Sequence, residues 1–257
     1  MMQGGLHAVV TGGGRGIGAA VATRLVAAGY RVTITGRDAG LLASFSAALG
    51  GERVCHPVTM DVSDRASVDR GMVAARGAFG PIAVLVNNAG QAVSAPFLKT
   101  DAALFERMIG VNLRGVFHCT QAVIPDMLDA KFGRVINVAS TAALVGYAYV
   151  SAYTAAKHGV LGLTRALALE LATKGITVNA VCPGYTETDI VKDAVTNIMA
   201  KTGRTELEAR AELAKGNPMK RMVQPDEVAD TVAWLAGAGA GSITGQAIAV
   251  CGGEVMH

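Results

Sequence analysis

Tyr153 and Lys157 stand four residues apart, a spacing that on a helix puts a phenol and an ammonium on one face. A phenol with a pKa of about 10 is a poor acid or base at neutral pH. A neighbouring ammonium favours the phenolate and can bring that pKa toward the working range. Such a pair can exchange a proton with a substrate oxygen, although a Tyr-xxx-Lys pair by itself is common on helix surfaces. Here it has company. Ser140, thirteen residues upstream, can hydrogen-bond the same oxygen. Asn112, in a segment that otherwise reads as helical, can hold a water linking Lys157 to solvent.

A second cluster is the run Thr11-Gly12-Gly13-Gly14-Arg15-Gly16-Ile17-Gly18, between an apolar stretch and a helical one. Glycines there permit positive φ, let the backbone approach a pyrophosphate and let the helix pack close on the sheet. The phosphate meets unpaired N–H groups at the positive end of the helix dipole. A phosphate-loop NTPase would end in Gly-Lys-Ser/Thr, and Gly16-Ile17-Gly18 does not. The next strand ends Thr35-Gly36-Arg37, so Gly36 stands where an acid would hold the ribose hydroxyls of NAD. Arg37 can take a 2′-phosphate, and Arg15 can reach it from the loop. This favours NADP(H); NAD(H) stays open, since both arginines also read as solvated surface residues.

These residues need a scaffold that brings loop ends together, and the apolar patterning supplies one. Strands over residues 6–11, 31–35, 54–60, 82–86, 134–139, 177–181 and 247–250 alternate with helices over 16–28, 39–49, 67–79, 151–173 and 225–236. A long helical stretch begins near Asp101. The alternation implies an α/β fold, a seven-stranded parallel sheet doubly wound with helices on both faces. Without a Pro-, Ser- or charge-rich linker, residues 1–257 read as a single domain. Residues 185–220 break the pattern, being long and more polar, and read as a substrate lid.

Taken together, Thr11–Gly18, Asn87-Asn88-Ala89-Gly90, Asn112, Ser140, Tyr153-xxx-Lys157 and Pro183-Gly184 resemble the short-chain dehydrogenase/reductases, in order and over nearly the whole chain. That resemblance implies a Rossmann sheet and a catalytic tetrad of Asn112, Ser140, Tyr153 and Lys157. Tyr153 would give or take the proton, Ser140 would orient the carbonyl, and Lys157 would bind the nicotinamide ribose and lower the tyrosine pKa. Asn112 would anchor a relay water. Asp61-Val62 would contact adenine, with helix capping as the rival role for Asp61. Asn88, Ala89 and Gly90 would lie against the cofactor, and Pro183, Gly184, Thr186 and Thr188 would clasp its nicotinamide end. The implied reaction interconverts a ketone and a secondary alcohol. The segment 180–188 and the ending Val250-Cys251-Gly252-Gly253 are similar to 3-oxoacyl-thioester reductases, polyketide ketoreductases and 3-hydroxyacyl-CoA dehydrogenases, which points to a β-oxoacyl thioester. Cyclic alcohols, sugars and steroids remain as alternatives. The family also implies a homotetramer through the helices near residues 101–128 and 151–173.

Composition narrows the alternatives. Of 257 residues, 51% are hydrophobic and 17% charged, enough for a large core and for burial between subunits. A net charge of +3 with no basic stripe argues against nucleic acid. No apolar run reaches membrane length, and no N-terminal stretch reads as a signal peptide. Four scattered cysteines without a CxxC pair fit reduced, packed thiols and a cytoplasmic protein. No His, Asp or Glu cluster has metal spacing, so no metal is expected. His118 and His158 read as packing or surface residues. Trp234, Met199, Met219 and Met222 read as packing before pocket lining, and Glu187 and Asp189 as solvated lid residues. A dinucleotide-binding regulator without turnover would keep the glycine loop but have no use for Tyr153 and Lys157 in register.

Overall fold

In the computed structural model, residues 5–256 are described; residues 1–4 and 257, the ends of the expected domain, lie outside them. Seven strands form one sheet in the order β3-β2-β1-β4-β5-β6-β7. They are β1 (His7–Thr11), β2 (Arg31–Gly36), β3 (Cys55–Thr59), β4 (Ile82–Asn87), β5 (Gly133–Val138), β6 (Ile176–Pro183) and β7 (Ala247–Val250). Every pairing is parallel, as the strand–helix alternation implied. The order reverses between β1 and β4, and a crevice opens at the carboxyl ends there.

The helices are α1 (Gly16–Ala27), α2 (Ala39–Ala48), α3 (Arg65–Phe79), α4 (Ala102–Ile109), α5 (Gly115–Ala130), α6 (Ser151–Leu171), α7 (Asp189–Thr202), α8 (Glu206–Ala214) and α9 (Pro225–Ala236). Side-chain caps set several starts. Asp38, Asp64 and Asp101 accept hydrogen bonds from Leu41, Ala66 and Leu104 backbone amides. Thr205 and Glu208 form a reciprocal capping box at α8.

Strand pleating sends alternate residues to opposite faces. Ala8 and Val10 of β1 join α1 and α9 through Val21, Leu25, Val228, Val232 and Leu235. Val9 joins α3, α5 and α6 through Met72, Val123, Met127 and Leu171. The sheet is therefore buried on both faces, which holds the loops at its carboxyl edge on a rigid base.

Two elements differ from the sequence expectation. The long helix after Asp101 is interrupted by one π-helical turn at Gly110–Arg114, between α4 and α5. Residues 185–220 contain two helices, α7 and α8, with their own small core of Val191, Val195, Ala209, Ala214 and Met222. Met222 is buried there, whereas Met199, Met219 and Trp234 are exposed. Among the described residues no helix is long and apolar enough to cross a membrane.

Candidate active site

The glycine loop leaves β1 and enters α1. Gly12 and Gly16 have φ of +65° and +54°, which side-chain-bearing residues rarely adopt. A Cβ on Gly18 would lie 2.1 Å from the Gly12 carbonyl oxygen, so loop and helix approach as closely as backbone allows. No side chain caps the start of α1, which leaves its first amides for a ligand. Ile17 packs on the core beneath. Asn88 ties the loop to β4, its side-chain nitrogen donating to the carbonyls of Thr11 (2.9 Å) and Gly12 (3.1 Å). The Thr11 hydroxyl accepts from the Asn88 and Ala89 amides.

Arg37 is exposed just past β2, and its charge reaches Asp61 beyond β3. Burial alone would raise the Asp61 carboxyl; hydrogen bonds from Ser63, then Arg37, outweigh it and hold the pKa below the ordinary value. Asp61 does not cap α3, a role Asp64 takes; its Oδ1 accepts from the Ser63 amide and hydroxyl. Val62 is buried against Gly115 of α5. Arg15 meets Asp189 at 3.7 Å, and Thr188 touches Gly16, so the lid's first helix rests on the phosphate loop. Asp189 also pairs with Lys192.

Ser140 follows β5, and Tyr153 and Lys157 lie in the first two turns of α6. The Ser140 hydroxyl acts on the Tyr153 phenol, pulling its pKa down, and accepts from the Ala142 amide at 3.1 Å. Lys157 is only 4% exposed. Its Nζ donates to the Val138 carbonyl at 2.9 Å and lies 5.7 Å from the centre of the Tyr153 ring. Burial pulls its pKa from 10.5 down to about 8, although Cys182 pushes the other way.

Burial pushes the Tyr153 phenol above its ordinary pKa; Ser140 pulls against the rise, and Cys182 and Tyr185 add to it.

Asn112 is fully buried in the π-helical turn. Its Oδ1 accepts from the Gln91 amide at 3.1 Å, and its Nδ2 donates to the carbonyls of Gln91 and Met108. Both amide hydrogens are thus engaged by protein, which anchors the loop after Gly90. Gly90 itself lies close under Asn112: a Cβ there would be 2.9 Å from Oδ1. The π turn is the local distortion that aims this side chain at the loop.

Pro183 ends β6, and Gly184 packs on Cys251. Thr186 donates to the Gly184 carbonyl, and Thr188 to the Thr186 carbonyl. Glu187 is not simply solvated: Arg210 of α8 grips it at 2.6 and 2.9 Å. Three residues escaped the sequence reading altogether. Tyr147 bonds to Thr141 (2.9 Å) and to Glu254 (2.8 Å) beside Ser140, and Tyr185 acts on Tyr153. Tyr147 and Glu254 are 107 residues apart, so no spacing signal joins them. Among the described residues no three His, Cys, Asp or Glu side chains gather as a metal site.

The sequence model of the short chain dehydrogenase family matches residues 6–198. The chain belongs to that family. It is an oxidoreductase of the kind that binds a nicotinamide dinucleotide and acts on an alcohol carbon or its ketone. This short-chain dehydrogenase is 39% identical to an acetoacetyl-CoA reductase of Shinella zoogloeoides, over 96% of the chain and 97% of that protein. It is 36% identical to a D-beta-hydroxybutyrate dehydrogenase of Rhizobium meliloti, over the same shares. Among solved structures, a variant of actinorhodin polyketide ketoreductase with NADPH matches with a TM-score of 0.93 and 37% identity, covering 99% of this chain and 98% of that one.

Proposed function

We propose that this short-chain dehydrogenase reversibly reduces a β-oxoacyl thioester, or a similar β-keto compound, to the secondary alcohol with NADPH. The observation that carries the reading is the gathering of Ser140 and Tyr153 at the carboxyl end of β5, where Ser140 acts on the phenol, with Lys157 buried beneath. Burial keeps the phenol protonated at neutral pH, which suits a proton donor to the ketone oxygen. Ser140, fixed by the Ala142 amide, orients that oxygen. Lys157 holds a positive charge under the site from a fixed position on the Val138 carbonyl. Asn112 keeps the loop after Gly90 in place.

The loop of Gly12, Arg15, Gly16, Ile17 and Gly18 fits a pyrophosphate, because its start of α1 is uncapped and its glycines admit close approach. When bound there, the dinucleotide supplies or takes up the hydride. Asp61 and Val62 would border its adenine, Asn88, Ala89 and Gly90 its middle, and Pro183, Gly184, Thr186 and Thr188 its nicotinamide end. Preference for NADP(H) over NAD(H) rests on Gly36 and Arg37, and the NADPH of the actinorhodin ketoreductase agrees with it. The substrate reading leans on the printed activity of the acetoacetyl-CoA reductase relative.

We further read residues 1–257 as one working domain and the assembly as a homotetramer; exposed Phe105, Phe117 and Leu169 on α4, α5 and α6 support it. A cytoplasmic location goes with four buried, unpaired cysteines. To test the reading, kcat/KM for acetoacetyl-CoA is compared with NADPH and NADH, in the parent and in Arg37→Ala. The parent should prefer NADPH, and the variant should lose about tenfold or more with NADPH alone. A parent that prefers NADH, with no loss in the variant, refutes the cofactor assignment.

A further inference from the structure

The cleft in front of Ser140 and Tyr153 is bordered by the loops that leave the carboxyl ends of β4 to β7. Residues 90–96, 140–152, 184–188 and 251–256 of those loops contain no Lys, Arg or His. They contain two acids, Glu187 and Glu254. Arg210 neutralises Glu187 with two short hydrogen bonds. Glu254 has no ion-pair partner among the described residues.

Its position is fixed by the cleft itself. Glu254 Oε1 accepts from the Tyr147 hydroxyl at 2.8 Å, and that hydroxyl accepts in turn from Thr141, the residue after Ser140. A Cβ on Gly184, at the carboxyl end of β6, would lie 2.9 Å from Oε2. The charge is felt across the mouth: burial and then Glu254 push the Tyr185 phenol up, and Tyr185 acts in turn on Tyr153. Lys157, at the reacting centre, is buried and committed to the Val138 carbonyl. The segment that packs on Glu254 through Gly216 carries three cations, but Lys215 pairs with Glu212, Lys220 donates to the Lys215 carbonyl and Arg221 pairs with Glu227. A substrate carboxylate entering here would meet a fixed negative charge and no cation from the bordering loops.

Resting on the ketone-reductase reading above, we propose that Glu254 is a specificity-determining residue that turns away substrates bearing a free carboxylate, so that β-oxoacyl compounds enter as esters or thioesters. Rejection by a like charge gives selectivity without any added contact to the accepted substrate. The neutral acyl group has no charge to oppose Glu254, whereas the free acid must be desolvated beside it.

The test compares kcat/KM for acetoacetate and methyl acetoacetate with NADPH, in the full chain and in Glu254→Gln and Glu254→Asp. Gln keeps an acceptor for Tyr147 and removes the charge; Asp keeps the charge. The acid-to-ester ratio should rise about tenfold or more in Glu254→Gln and stay low in Glu254→Asp. An unchanged ratio in Glu254→Gln overturns the proposal. The same preference is read without turnover by calorimetric binding of both compounds to the NADPH complex of Tyr153→Phe, with and without Glu254→Gln. If the parent reduces neither compound, the ketone reading fails, while this binding contrast still decides the role of Glu254: a weakened preference for the ester supports it, and an unweakened one overturns it.

Discussion

Replacing Lys157 by Met should make the chain more stable while removing its activity. The lysine is 4% exposed, and burial lowers its pKa from 10.5 to about 8. At about 1.4 kcal/mol per pKa unit, holding it charged in the folded chain at pH 7 costs about 3 kcal/mol relative to the unfolded chain. Methionine has nearly the same length and no charge. It leaves the Val138 carbonyl without its donor, which costs about 1 kcal/mol. The net gain is about 2 kcal/mol, or about 6 °C in melting temperature for a chain of this size. The pH dependence separates this cause from better packing. Because the folded pKa is depressed, the unfolded chain binds more protons between pH 8 and 10.5, so the parent gains stability as pH rises through that window. The charge term falls to about 1.4 kcal/mol near pH 9.5, and the two proteins should converge. Urea unfolding followed by circular dichroism, at matched protein concentration and several pH values, reads the difference. Equal stability at pH 7, or a gap that does not shrink by pH 9.5, would refute the reasoning.

Two other perturbations follow from the same geometry. Gly18→Ala places a Cβ 2.1 Å from the Gly12 oxygen and 2.5 Å from the Asn88 side-chain nitrogen. It should destabilise by about 1–3 kcal/mol and weaken NADPH binding far more than an Ala at exposed Gly77, read by fluorescence titration. His7 is buried, with Nδ1 donating to the Gly80 carbonyl and Nε2 accepting from Thr33. Burial holds its pKa below 6.5, offset in part by the Gly80 bond. Only the unfolded chain takes up the proton just below pH 6.5, so stability should fall as pH drops through that point. Melting temperatures from pH 7.5 to 5.5 should show that slope in the parent and a flatter one in His7→Gln.

The residues show why parts of this site can be read from sequence and parts cannot. The phosphate loop was legible because its chemistry is local: Gly12, Gly16 and Gly18 are needed where β1 meets α1, and strand and helix patterns flank them. Tyr153 and Lys157 were legible as a pair because helix spacing alone puts them on one face. The direction of the Tyr153 shift was not, since it depends first on how deeply the folded chain buries the phenol. The partner of Lys157, Val138, likewise comes from another element. Asn112 marked a special position, but the π-helical turn that aims it at Gln91 leaves no trace in hydrophobic period. Residues 185–220 show only a broken alternation; the capping box of Thr205 and Glu208 is the local sign of α8. Tyr147 and Glu254 meet solely because β5, β6 and β7 are neighbours in the sheet, and nothing shorter than the whole topology joins them.

The proton path through Tyr153 is the centre of the account, and Tyr153→Phe isolates it by removing one oxygen. Steady-state reduction of acetoacetyl-CoA by NADPH, paired with the NADPH Kd from fluorescence, measures turnover and cofactor binding in the same variant. The account predicts a fall in kcat of about a thousandfold with the Kd unchanged. A variant that keeps turnover within about tenfold of the parent would contradict it.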